Sequence, residues 1–105
     1  MRKIGIQEIE DIALGAALLG GGDPYIGKLV AISAVQACGP VTLLDPEEVP
    51  DDALLVPIAM MGAPTVLMEK ATGGDEYRVL YETVSAFFGR PVFAFMPMEA
   101  GGVNS

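Results

Sequence analysis

The sequence predicts an α/β domain, a parallel or mostly parallel sheet with helices on its faces, incomplete without a following segment. Three observations carry this. Short apolar runs alternate with helical segments, the pattern of βαβ units. The first run, "VTLL", shows no polar alternation beyond Thr42, as in strands covered on both faces. Of 105 residues 51% are apolar and the mean hydropathy is positive, enough for a packed core and too much for a disordered chain.

Gln7 to Leu19 reads as the first helix. Ile9, Ile12, Ala13, Ala16 and Leu19 recur at helical spacing, and Glu8, Glu10 and Asp11 sit near its positive end. Leu14 and Leu18 widen the apolar face until the last two turns are apolar nearly all round, so this helix expects cover on both sides. Asp23-Pro24 then opens a second helix, with Asp as N-cap and Pro at the first helical position. Ile26, Leu29, Val30, Ser33 and Ala37 follow one face of it, and Gly39-Pro40 closes it.

Val41 to Leu44 is a short strand, followed by the acidic, proline-punctuated surface loop "DPEEVPDD". Ala53 to Met60 is a second strand, which Pro57 confines to an edge or to its last part. "MGAP" repeats the earlier grammar of strand end, glycine and a proline, Pro64, opening a helix "TVLMEKA". "TGGD" is a turn. Glu76 to Phe88 is an amphipathic helix with Val79, Leu80, Val84 and Phe87 inward, ended by Gly89. "PVFAFM" is a third strand. The glycine-rich "PMEAGGVNS" should by this pattern enter another helix, so the chain is expected to be a fragment, a cleaved product, or one partner whose next segment belongs to another chain.

Net charge is −8, and the six basic residues are scattered, which excludes a basic nucleic-acid footprint. No apolar run reaches the roughly 18–20 residues of a membrane span, and the start turns acidic too soon for a secretion signal. With one cysteine no internal disulfide forms, so a cytoplasmic location is expected. With no histidine as well, a His-based triad and a Cys/His zinc cage are excluded, and any metal would sit on oxygen ligands. The motifs name no cofactor: neither GxGxxG nor GxxxxGK[ST] is present.

Ligands of open α/β sheets collect beyond the carboxyl ends of the strands. Three stretches are expected there: "GGGDP", "MGAP", and "EAGG" with Asn104 and Ser105. Glu99 is the carboxylate best placed for general acid–base work, with Asp23 next. Each has a plainer reading. Asp23 caps a helix with no further reason, and that reading is the weightier. The glycines either cradle an anion or let two helices pack closely. The preferred reading is that the run lets backbone approach the neighbouring strand ends, with Asp23 capping the helix at the same corner. Cys38 reads as buried packing, and Met60-Met61 and Met96-Pro97-Met98 as core or interface filler. Glu99 is harder to dismiss, because an acid between a buried strand and a Gly-Gly pair is not ordinary surface.

Together, "IEDIALGAALLGGGDPYIGKL", "GPVTLLDPEEVPDDALLVPIAMMGAPTV", "EK", "GRPV" and "MPMEAGGVNS" resemble the N-terminal domain of the S-methyl thiohydantoin desulfurase-like family, from about Ile9 to Ser105. Members of that family are often encoded beside hydantoinase/oxoprolinase-type subunits and are normally much longer, with a C-terminal domain after the Gly-Gly-x-Asn-Ser segment. The glycine run before Asp-Pro is shorter here than in the family pattern and lacks its threonine. The resemblance implies that residues 1–105 are the N-terminal α/β domain of a hydrolase, with a C-terminal domain or companion chain and a homo- or hetero-oligomeric assembly. It implies a small cyclic imide as substrate, an S-methyl thiohydantoin or related hydantoin, or else a non-catalytic partner subunit of a hydantoinase/oxoprolinase-type complex. In the hydrolase reading Gly21, Gly22, Gly62, Gly101 and Gly102 line the substrate, with N–H groups of the first four as donors. Glu99 or Asp23 activates the water, and Asn104 orients the ring.

Overall fold

The computed structural model describes residues 1–22, 24–62, 65, 69, 73–102 and 104. Strand β1 (Arg2–Ile4) leads into helix α1 (Ile6–Gly20), then α2 (Pro24–Cys38) and β2 (Val41–Leu43). A 3₁₀ turn at Pro46–Glu48 precedes β3 (Leu55–Ile58), α3 (Glu76–Phe88) and β4 (Ala94–Pro97). The expected helix from Pro64 falls on residues of which only Thr65 and Glu69 are described, both helical.

The architecture is mixed α/β, but the expected sheet is divided. β3 and β4 pair in parallel, from Leu55 opposite Ala94 to Ile58 opposite Pro97. The ladder is extended by Phe93 N–H donating to Leu54 O at 2.8 Å and Met98 N–H to Ile58 O at 3.1 Å. β2 instead pairs antiparallel with β1, Arg2 opposite Leu43 and Ile4 opposite Val41. This corrects the reading of one parallel or mostly parallel sheet. The cause lies at both ends of β2. "RKI" carries two charges and no apolar alternation, so nothing in it announced a strand, yet it supplies β2 with a partner. Beyond β2, Pro46 and Pro50 turn the chain away before β3 begins. Pro57 is tolerated because a two-stranded sheet leaves every strand at an edge.

The starts of α1, the 3₁₀ turn and α3 share one device. Glu8 reaches back to accept the Gly5 N–H at 2.8 Å, Glu48 accepts the Asp45 N–H at 2.9 Å, and Glu76 accepts those of Gly73 and Gly74 at 2.5 and 2.9 Å. Each carboxylate satisfies donors that a helix start leaves unpaired. At the far ends, Gly39 (φ 87°) donates to Val35 O and Gly89 (φ 65°) closes α3 in the left-handed conformation.

The buried apolar residues among those described are Ile9, Ala16, Val35, Val56 and Val92. α1 packs on α2 around the first three. The face of α2 expected inside is outside: Ile26, Leu29 and Val30 are exposed, while Gly27, Ala31, Ala34 and Val35 line the groove shared with α1. α2 is apolar on two sides, and small residues allow the closer approach, so that side meets α1. Cys38, expected to be buried, is exposed, because it ends α2 beyond Val35, that helix's buried residue. On α3, Leu80 and Val84 are half-buried, but Val79 and Phe87 are exposed. Of the two readings given to the methionine pairs, core or interface filler, the first does not hold: Met61, Met96 and Met98 are exposed and Met60 is half-buried. The radius of gyration, 14.4 Å, exceeds the roughly 13 Å of a compact domain this long, in keeping with so little buried surface.

Candidate functional site

The α1–α2 corner, the exit of β3 and the segment after β4 converge. At the corner, Gly21 (φ 73°) donates its N–H to Ala17 O at 2.9 Å, and Gly22 follows at φ 83°. Two successive residues with positive φ are natural to glycine and strained for residues with a Cβ. The segment after β4 folds across this corner, where the Gly102 N–H donates to Gly21 O at 2.9 Å. A Cβ on Gly20 would sit 1.7 Å from Ala100 O, so backbone passes directly over backbone. The close approach the glycines permit is therefore to the segment just beyond the end of β4, in line with the expected approach to a strand end, and not between the two helices.

The exit of β3 is held by Asn104. Its Oδ1 accepts the Met60 N–H at 2.7 Å, and its Nδ2 donates to Met60 O at 3.2 Å. The amide thus pairs with Met60 as a neighbouring strand would. The same Nδ2 donates to the Glu99 carboxylate. Asn104 and Met60 are half-buried, while Glu99 is exposed. Two residues on, Gly62 has φ 151°.

Of the residues expected from sequence, Glu99 and Asn104 are bonded to each other. Gly101 and Gly102 lie against Gly20, Gly21 and Gly22. Gly62 adjoins the Asn104-held end of β3. Asp23 lies outside the described residues. The N–H groups of Gly21 and Gly102 serve the corner itself, whereas those of Gly22 and Gly62 make no hydrogen bond to a described residue. The roles of Ala100 and Met60 were not read from sequence. Gly20 carried its signal in the glycine run, which called for a close backbone approach; Ala100 and Met60 act through backbone, which no side chain advertises.

Beside this junction an apolar groove of about 270 Å³ runs between the α1–α2 pair and β1–β2, with Gly101 and Gly102 on its wall and Lys28 as its charged lining residue. Among the described residues no group of three or more Cys, Asp or Glu side chains is placed to hold a metal ion, and no helix is long and apolar enough to cross a membrane.

These features define a small mixed α/β domain whose chain junctions are built from glycine backbone, one carboxylate and one amide. The chain belongs to the S-Me-THD-like family: the family's N-terminal domain matches residues 7–105. Searches of curated proteins and of solved structures returned no match.

Proposed function

We propose that the chain is the N-terminal part of a hydrolase acting on an S-methyl thiohydantoin or a related hydantoin-type ring, with its chemistry at the junction of Glu99, Gly22 and Gly62. The supporting observation is the Glu99–Asn104–Met60 linkage, which ties a carboxylate to the carboxyl end of β3, where ligands of open α/β sheets gather. Glu99 takes a proton from water as its oxygen adds to the ring carbon bearing sulfur. The C=N electron pair moves to ring nitrogen, stabilised by the Gly22 and Gly62 N–H groups. Collapse re-forms C=N and breaks the C–S bond; methanethiolate leaves with the proton held by Glu99, and the ring tautomerises to the hydantoin carbonyl. Asp23 is the second candidate for the base. In the full-length protein, Glu99→Gln should lower kcat on the order of 10²-fold or more while the protein still folds. Wild-type turnover in that variant removes Glu99 from the mechanism.

A second reading is favoured by one observation. Leu14, Leu18 and Leu19 of α1 are 74%, 86% and 80% exposed, which fits a subunit or domain docking on a companion of a hydantoinase/oxoprolinase-type complex through apolar helices. The readings separate experimentally: a docking role survives Glu99→Gln and fails when the α1 leucines are made polar.

A further inference from the structure

We infer that Asn104 is a positioning residue acting through Glu99, not a contact to the ring; this rests on the reading of Glu99 as the base. The geometry distributes the whole donor capacity of Asn104. One Nδ2 hydrogen goes to Met60 O and the other to Glu99, and Oδ1 takes the Met60 N–H. A primary amide has two hydrogens, so none is left to donate to a substrate. What the amide does is fix distance and direction. Met60 lies two residues beyond the last residue of β3, Glu99 two residues beyond the last residue of β4, and Asn104 joins the two exits with a side chain that has two rotatable bonds. An exposed glutamate otherwise samples many rotamers. A donor at one carboxylate oxygen removes that freedom and leaves the other oxygen to meet water. The half-buried Met60–Asn104 pair anchors the donor, so the carboxylate is referenced to the sheet rather than to the tail that bears it.

The test uses the full-length protein and turnover of an S-methyl thiohydantoin. Asn104→Ala should lower kcat roughly 10- to 100-fold, as loss of an orienting partner does, with KM held within about twofold. In a Glu99→Gln background the same change should cost less than about twofold more, because its effect passes through Glu99. Asn104→Asp guards against a variant that merely loosens the tail. It keeps the acceptor for the Met60 N–H but loses the donor to Glu99. It should therefore retain slow hydrogen exchange at the Met60 amide yet lose kcat. A raised KM at unchanged kcat in Asn104→Ala overturns the inference, as does an undiminished cost in the Glu99→Gln background, or wild-type kcat in Asn104→Asp. Failure of the underlying reading looks different: Glu99→Gln alone then turns over at the wild-type rate, whatever stands at position 104.

Discussion

A single methyl group separates Gly20 from an ordinary helix-ending alanine, and the structure leaves no room for it. The Cβ would meet Ala100 O at 1.7 Å and the Ala100 carbonyl carbon at 2.5 Å, both main chain and unable to swing aside. Gly20→Ala should therefore destabilise the domain by about 1–3 kcal/mol, as overpacking does, or expel the 99–102 segment and expose it to protease. An unchanged urea midpoint with an intact tail contradicts the close approach. Gly15 is the contrast. It lies within α1 with nothing within 4 Å of its Cβ position, so Gly15→Ala should stabilise by about 0.5–1 kcal/mol through helix propensity. At this scale the candidate site was partly legible. Glu99 stood out because its setting was odd for a surface acid, and Asn104 because it lies with "EAGG" beyond the third strand, its role being implied by the family resemblance. Their mutual hydrogen bond was not legible, since it depends on where the 99–104 segment folds back.

Elements add what single residues do not. β1 and the 3₁₀ turn are joined at the Met1 ammonium, which lies 2.7 Å from a carboxylate oxygen of both Asp45 and Glu48. Hydrogen bonding to Asp45 first, then to Glu48, raises the amine above its usual 8.0. The amine lowers Asp45, and it lowers Glu48 ahead of the contribution from the Asp45 N–H. The signs fix the pH window. The amine's contribution is complete below its unfolded value and is lost as pH rises through its raised folded value. The carboxylates' contributions are complete above their unfolded values and are lost as pH falls through their lowered folded ones. The melting temperature should thus be highest between these limits, and acetylating the amino terminus should flatten the alkaline arm. An identical alkaline arm in acetylated protein contradicts the linkage. Glu76, lowered chiefly by its own N–H and that of Gly73, should behave like the other carboxylates, and Glu76→Gln should weaken the acid dependence of α3 in circular dichroism. Elements with strong local signals were well read. Glu76 to Phe88 was delimited by a glycine and by helical spacing, and α3 spans those residues. β1 escaped because its pairing with β2, not its composition, makes it a strand.

The whole molecule is defined by how much apolar surface it leaves open. Leu18 and Leu19 on α1, Met61 after β3 and Phe87 at the end of α3 are each at least 80% exposed, and among the described residues both sheets stop at two strands. The apolar residues were legible, since the last turns of α1 are apolar nearly all round. The cover expected on both sides of that helix is not there among the described residues, where Leu14, Leu18 and Leu19 are exposed. Which face of α2 turns inward is decided by the small residues opposite α1, a comparison between two elements that neither makes alone. If α1 docks on a companion domain or chain, Leu14→Gln with Leu18→Gln should leave the melting of this domain nearly unchanged while the assembly, weighed by native mass spectrometry, falls apart. An assembly that survives both changes places the contact elsewhere. The most direct measurement of the central claim is methanethiol release from an S-methyl thiohydantoin by the full-length protein and by its Glu99→Gln form. The account predicts one thiol per hydantoin formed by the first and on the order of 10²-fold slower release by the second. Equal rates in the two, or no release above the uncatalysed reaction by either, would contradict it.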